Sequence, residues 1–293
     1  MLAALVFLNE RSGTASSRTA IAQAFAAANV PCQIRILTRH LDLPGIVDQA
    51  ASAGTAIVAA GGDGTVNCIA SAILAKYPNA SFGVLPVGTL NHFARDMKLP
   101  LTLEQAAKVI AAGTTRQVDA AEVNGRAFLN NSSIGFYPGM VLQRERLKKV
   151  GWNKWISLLV ASARAFIRFR HLRVCVTLPT GERLERTTPF VFVGNNEYTM
   201  EGIDAGSRER LDAGRLYLYM APGATRLSLL RLTLAALFHK VHESPDFESL
   251  CIESVTVDQH RRRTHVAIDG EVIRLKGSLH YRIRPLALKV LVP

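Results

Sequence analysis

A six-residue run of small and β-branched side chains, Thr55 to Ala60, passes without a break into Gly61-Gly62-Asp63-Gly64-Thr65-Val66-Asn67, and a helical pattern follows from Thr65 to Lys76. Strand, glycine-rich turn and helix in direct succession are one arm of a parallel sheet, because parallel neighbours need a crossover and the helix supplies it. The surrounding residues repeat the alternation. Leu2 to Leu8, Gln33 to Leu37 and Ser81 to Leu85 read as strands, and Ser17 to Asn29 and Thr102 to Ala112 as helices. Thr102 with Gln105 three residues on predicts a capping box at the last of these, and Gly113 predicts its end. Residues 1–124 are therefore expected to form an α/β domain.

The turn has a chemistry of its own. Three glycines let backbone N–H groups approach a phosphate, the following helix N-terminus adds its positive dipole end, and Thr65 adds a hydroxyl. A carboxylate beside a phosphate is repulsive unless a divalent cation lies between them, so Asp63 implies Mg²⁺ with a nucleotide. The alternative is a plain tight turn, with glycines for φ > 0 and Asp63 as a helix cap. No Walker A sequence and no G-x-G-x-x-G occurs, which argues against a P-loop NTPase and a Rossmann dehydrogenase.

From Arg116 the pattern changes to strand-like runs: Arg126 to Ser132, Val174 to Leu178, Phe190 to Val193, Leu216 to Tyr219, Ser254 to Val257 and Val266 to Ile268. Residues 125–293 are read as an antiparallel second domain, its last strand either staying there or returning to the first. Two helical stretches interrupt it, Trp152 to Arg170 and Thr225 to His242. Charge separates the halves as well. Of the formal +12, residues 1–124 hold only +1 and residues 125–293 hold +11. Nine basic side chains and a single acid, Glu145, lie between Val141 and Arg173, interleaved with Trp152, Trp155, Phe166 and Phe169. Arginine beside tryptophan and phenylalanine on a helix suits an anionic membrane surface; the alternative is a helix packed by its apolar stripe with solvated arginines. Nucleic acid is disfavoured, since aromatics are only 7% and no nucleic-acid-binding motif appears. Cys32, Cys68, Cys175 and Cys251 are isolated, so a reducing cytoplasm is expected and neither zinc nor disulfides. The opening residues read as a strand and not a signal peptide, and no apolar run reaches the roughly 18 residues that span a bilayer.

GGDGTVN resembles the nucleotide loop of the diacylglycerol kinase catalytic-domain family, which includes bacterial lipid kinases and sphingosine kinases. Other segments strengthen the resemblance. Asn9-Glu10-Arg11-Ser12-Gly13 is similar to the family's Asn-Pro-x-x-Gly turn, with Glu10 for proline, and Pro86-Val87-Gly88-Thr89-Leu90-Asn91-His92-Phe93-Ala94-Arg95 to its Pro-x-Gly-Thr-x-Asn-Asp-Phe-Ala-Arg stretch, with His92 for aspartate. Asp119 with Val123-Asn124, then Phe128 to Gly135, Val193-Gly194-Asn195-Asn196 and Asp269-Gly270-Glu271 complete the series in order.

That resemblance implies a Rossmann-like nucleotide domain, a C-terminal β-sandwich, and an active site in the cleft between them. It implies ATP and Mg²⁺ as cofactors, with Asn9, Thr38, Gly61, Gly62, Asp63, Gly64, Thr65, Asn67, Thr89 and Asn91 around the nucleotide. Asp63 would serve the metal through Mg-ATP, Asp119 is a further candidate acting through a water, and Glu271 would be the general base. Taken alone, Ile268-Asp269-Gly270-Glu271 between two apolar runs reads as a hairpin turn. The implied reaction is transfer of the γ-phosphoryl group to a hydroxyl of diacylglycerol or a related lipid, by a cytoplasmic protein held peripherally at the inner face of the membrane, with a homodimer left open. Two other readings stand beside it: a kinase of a soluble acceptor such as NAD, for which Asn196-Glu197 offers a suitable dipeptide, and a lipid- or nucleotide-binding regulator without turnover. Ala213 replaces the second aspartate of the family's Asp-Asp-Gly, so its structural Mg²⁺ site is not carried over, although Asp212 is a candidate substitute.

Overall fold

A computed structural model of the chain describes residues 3–10, 18–38, 41–77, 79–139, 141, 171–199, 206–225, 247–259 and 261–293. It divides into two compact units, one of Met1–Ala120, Arg210–Gly214 and Arg284–Pro293, the other of Ala121–Glu209 and Arg215–Ile283.

The first unit is an α/β domain. Its elements are β1 (Ala4–Leu8), α1 (Arg18–Ala27), β2 (Cys32–Ile36), α2 (Leu43–Ser52), β3 (Ala56–Gly61), α3 (Asp63–Lys76), β4 (Ser81–Pro86), α4 (His92–Asp96) and α5 (Leu103–Ala112). The strands pair in parallel in the order β2-β1-β3-β4, and Lys289 and Val290 of the final strand pair in parallel with Ser81 and Phe82 of β4. Every residue of β1 and β3 is buried, as expected of parallel strands covered on both faces. Ile21, Phe25, Ala107 and Ile110 from α1 and α5 join Val6, Val58 and Leu85 in one core cluster.

Helix α2 was not expected from the sequence, because Pro44 and Gly45 stand in its first turn. Proline is harmless there, where its missing N–H would have had no partner, and the Asp42 carboxylate accepts the Gly45 N–H at 3.2 Å. The capping box expected at α5 does not form: Thr102 occupies the N-cap with extended backbone, but its side chain makes no capping hydrogen bond. Both Thr102 and Gln105 are exposed, where water competes for their polar groups, while the Thr102 carbonyl accepts the Ala106 N–H at 3.0 Å. Gly113, at φ 72°, ends the helix.

The second unit is a β-sandwich. β5 (Thr115–Val123) leads into it, followed by β6 (Arg126–Phe128), β7 (Asn131–Gly135), β8 (Leu172–Thr177), β9 (Arg183–Thr188), β10 (Phe190–Asn195), β11 (Leu216–Met220), β12 (Glu248–Ile252), β13 (Ser254–Gln259), β14 (Arg263–Ile268), β15 (Glu271–Lys276) and the long β16 (Leu279–Leu291). One antiparallel sheet runs β12-β11-β10-β7-β14-β15; in the other, β13 lies between β8 and the first part of β16. Val174 and Val176, Val255 and Val257, and Leu279 and Tyr281 from the second sheet pack with Ile134, Val191, Val193, Leu216, Leu218, Val266 and Ile268 from the first. The run Arg126 to Ser132, read as one strand, is broken at Leu129 and Asn130 into β6 and β7. Strands β9 (RLERTT) and β15 (EVIRLK), both at sheet edges, escaped the sequence reading because charged side chains interrupt their apolar runs without a regular alternation. The helical stretches expected over Trp152 to Arg170 and Thr225 to His242, Thr225 apart, lie outside the described residues, as do 11–13 of the first turn motif.

Among the described residues, the Ser133 hydroxyl is a buried side-chain polar atom without a hydrogen-bond partner, on β7 between Phe192 and Ala267 of the adjacent strands. An unmade bond of this kind costs about 1–3 kcal/mol. Ser133→Ala is therefore expected to raise the free energy of unfolding by about 1 kcal/mol, within that range, in denaturant titrations; an equal loss would mean that the hydroxyl has a partner in solution.

Candidate active site

The glycine-rich turn lies where β3 ends and α3 begins, at the carboxyl ends of parallel strands, the usual place for ligands in such sheets. Gly62 is the N-cap, and its carbonyl accepts the N–H groups of Thr65 at 2.9 Å and Val66 at 3.0 Å. None of Gly61, Gly62 and Gly64 has positive φ, which corrects the idea that these glycines serve a left-handed turn. Gly61 and Gly62 serve close approach instead. A Cβ on Gly61 would fall 2.4 Å from Thr65 Oγ1, and a Cβ on Gly88 would fall 2.3 Å from the Cα of Gly62. The loops after β3 and β4 thus touch backbone to backbone at two glycines.

Side chains pin this contact. Asn91, buried and at φ 53°, accepts the Gly88 N–H at 3.1 Å and donates to the carbonyls of Pro86 and Gly88, each at 3.0 Å. The expected nucleotide ligand Asn91 is accordingly the brace of its own loop. Asp63 accepts the Phe93 N–H at 3.1 Å, so the carboxylate opens α3 and at the same time caps the start of α4. Thr65 Oγ1 accepts from Asn9 Nδ2 at 2.9 Å, and the Asn9 N–H donates to Ala60 O at 3.0 Å, which brings the end of β1 to the loop. Thr89 is exposed at the tip of the second loop with Leu90 and His92. Asn67 is half-buried on α3, where its Oδ1 accepts from Ser71 at 3.5 Å. Asn9, Gly61 to Thr65, Gly88 and Asn91 are thus brought together. Thr38 lies exposed just beyond β2, and among the described residues no hydrogen bond joins its side chain to the loops.

Asp119 is buried in the same unit. Its carboxylate accepts the N–H groups of Gly214 at 2.6 Å and Leu286 at 2.8 Å, which ties residues 210–214 and the end of β16 to β5. Asp212 lies between two guanidinium groups, Arg116 Nη2 at 2.7 Å and Arg210 Nε at 3.2 Å; the hydrogen bond from Arg116 above all holds its carboxyl below the usual range. Positive charge therefore already stands where Asp212 was a candidate for a cation. No cluster of three His, Cys, Asp or Glu side chains fit to hold a metal occurs among the described residues. Asp63 is the acid of the glycine-rich turn.

In the second unit, Glu271 opens β15. Asp269 at φ 45° and Gly270 at φ 84° form a two-residue turn joining Ile268 to Glu271, the hairpin geometry that the local sequence suggested. Glu271 is exposed at its exit, and no hydrogen bond or ion pair of its side chain occurs among the described residues. The sequence reading placed Asp269 in the turn but missed its buried role. Its carboxylate is buried and accepts three successive backbone N–H groups, from Leu129 at 2.8 Å and from Asn130 and Asn131 at 2.9 Å each. Burial pushes this carboxyl up to about 6, against the three N–H donors and the charge of Arg208, which pull it down. No local signal marks these partners, which lie about 140 positions away in the chain.

Residues 3–123 match the diacylglycerol kinase catalytic domain, and residues 142–292 match the YegS C-terminal NAD kinase beta sandwich-like domain. The chain is 38% identical over 148 residues to a Pseudomonas aeruginosa protein named probable lipid kinase YegS-like, covering 50% of this chain and 48% of that protein. It is 32% identical over 138 residues to the probable lipid kinase YegS of Escherichia fergusonii, covering 46% of each. The aligned region thus spans about half the length of the curated relatives it matches. A crystal structure described as a diacylglycerol kinase from Bacillus anthracis superposes with a TM-score of 0.72 over 99% of this chain and 97% of that one; at 20% identity this likeness is one of fold.

Proposed function

Given that the chain belongs to the diacylglycerol kinase catalytic-domain family and joins that domain to a YegS-type β-sandwich, we propose that it is an ATP-dependent, Mg²⁺-requiring lipid kinase that phosphorylates a hydroxyl of diacylglycerol or a related lipid. The observation that carries the reading is the pair of backbone-to-backbone loops after β3 and β4, with Asp63 between the start of α3 and the start of α4. The N–H groups at the start of α3 are placed to bind phosphate oxygens, with the helix dipole in support. Asn9 orients the Thr65 hydroxyl at 2.9 Å, and Asn91 keeps Gly88 against Gly62 so that the phosphate-binding backbone holds its shape. Asp63 is the proposed carboxylate for Mg²⁺, which when bound spreads the negative charge that builds up as the γ-phosphoryl group leaves. Glu271 is the proposed general base, taking the proton of the attacking lipid hydroxyl at its carboxylate.

A soluble acceptor such as NAD is the rival; of its supporting dipeptide Glu197 is exposed, and the burial of Asn196 weighs against it. Asn196 is fully buried and donates to Asn195 Oδ1 at 3.4 Å, which leaves it engaged within the sandwich. ADP release from Mg-ATP separates the two acceptors: stimulation by a diacylglycerol dispersion and none by NAD is the expected result, and stimulation by NAD alone would reverse the assignment.

The lipid is proposed to be met at an anionic membrane surface. Among the described residues no helix is long and apolar enough to cross a membrane. The basic stretch 141–173 carries nine Lys or Arg, each contributing on the order of 1 kcal/mol near an anionic surface. Vesicle binding is expected to rise with anionic lipid content, to fall without vanishing at high salt, and to weaken when Arg164, Arg168 and Arg170 are changed together to Gln. Binding indifferent to all three would leave these arginines as solvated surface, and displacement by short duplex DNA would indicate nucleic acid instead.

A further inference from the structure

We propose that Arg208 is a positioning residue for Glu271, acting through the segment Leu129–Asn131 and the turn at Asp269; the inference rests on the reading of Glu271 as the general base. Arg208 is 3% exposed, deep in the β-sandwich unit. Its Nη1 donates to Leu129 O at 2.7 Å and Asn195 O at 2.9 Å, and its Nη2 to Asn130 Oδ1 at 2.8 Å. Its guanidinium also lies over the Tyr198 ring, 5.3 Å from the centroid. Asn195 adds to the same grip, since its Nδ2 donates to Leu129 O at 2.8 Å and its N–H to Asn130 O at 2.9 Å.

These contacts hold the carbonyl side of the break between β6 and β7. The N–H side of that break faces the Asp269 carboxylate, which takes all three amides, and the Asp269 N–H returns to Asn131 O at 2.9 Å. A peptide segment is thus clamped between a buried cation on the Leu129 carbonyl and the Asn130 side chain and a buried anion on its three amides. The anion belongs to the first residue of a two-residue left-handed turn, and the residue that leaves the turn is Glu271. A buried charge pair is a poor way to add stability, because apolar side chains of equal volume usually do as well or better. Its strength is geometric: the five donors of a guanidinium fix the directions of several acceptors at once, and a carboxylate one residue pair away inherits that order. Displacing a general base by about 1 Å is enough to lose much of its effect. Without the guanidinium, Asp269 would lose the cation that favours its ionised form, and a neutral carboxyl accepts three amides poorly.

The test uses the full chain with Mg-ATP and dioctanoylglycerol in detergent micelles, and compares Arg208→Met, Arg208→Lys, Asn130→Ala and Glu271→Gln, singly and with each of the first three in the Glu271→Gln background. Arg208→Met is expected to lower kcat about 10-fold or more with KM for ATP within about twofold of normal, and Arg208→Lys to recover part of the loss. The deciding result is non-additivity: once Glu271 is Gln, Arg208→Met should cost nothing further. If Arg208→Met does not fold, Asn130→Ala, which removes one of the three acceptors, is expected to lower kcat severalfold in the same non-additive way. A lowered melting temperature with normal kcat, or losses that multiply in the double variants, overturns the positioning role and leaves the base assignment standing. Normal kcat in Glu271→Gln overturns the base assignment, and absence of turnover by the unaltered protein overturns the kinase reading itself.

Discussion

Asp63→Asn is expected to abolish phosphoryl transfer while leaving the fold intact. The substitution keeps the shape of the side chain and an oxygen able to accept the Phe93 N–H, now 3.1 Å from Oδ1, so the link between α3 and α4 survives. What it removes is the charge. The hydrogen bond to Phe93 does not need that charge, whose proposed task is to hold Mg²⁺ against the phosphates of the nucleotide. Circular dichroism and the melting temperature should match the unaltered protein, with activity at background. Retained activity in a folded Asp63→Asn protein would show that Asp63 is a cap and nothing more.

Glu271→Gln is expected to lower kcat by roughly 10² to 10⁴, the usual loss of a general base, with nucleotide affinity little changed. The geometry makes this a clean test, because Glu271 is exposed and the turn before it is held by Asp269 and not by the glutamate. Stability should hardly move. A fall in stability with normal specific activity would mean that the hairpin is the whole role of Asp269-Gly270-Glu271.

The parts of the fold legible in the sequence were those written in local pattern. β3, the glycine turn and α3 follow one another without interruption, and both strands of the core of the first unit are continuous apolar runs. Patterns that depend on context failed. Pro44 and Gly45 hid α2 because a proline in a first turn looks like a helix breaker until the position of the turn is known. Thr102 and Gln105 had the spacing of a capping box, yet exposure lets water compete for both side chains. The site was legible to the same degree. Asn9 and Thr65, which the resemblance put near the nucleotide, bond to each other, while Gly61 packs on the Thr65 side chain, Gly62 meets Gly88 of the next loop, and Asn91 braces its own loop. The network of Arg208, Asn130, Asn195 and Asp269 was invisible because each bond joins residues brought together only by the sandwich, and a buried arginine looks in sequence like any surface arginine.

The proposed reaction moves the terminal phosphoryl group of ATP onto a lipid hydroxyl. Its most direct test is an assay with γ-labelled ATP and Mg²⁺ across a panel of acylglycerols, sphingoid bases and NAD, followed by extraction into organic solvent, with Asp63→Asn in parallel. Label appearing in the organic phase with at least one lipid, and absent with Asp63→Asn or on chelating the metal, is the predicted result. ATP left intact with every lipid, or label found only in the aqueous phase on NAD, would contradict it.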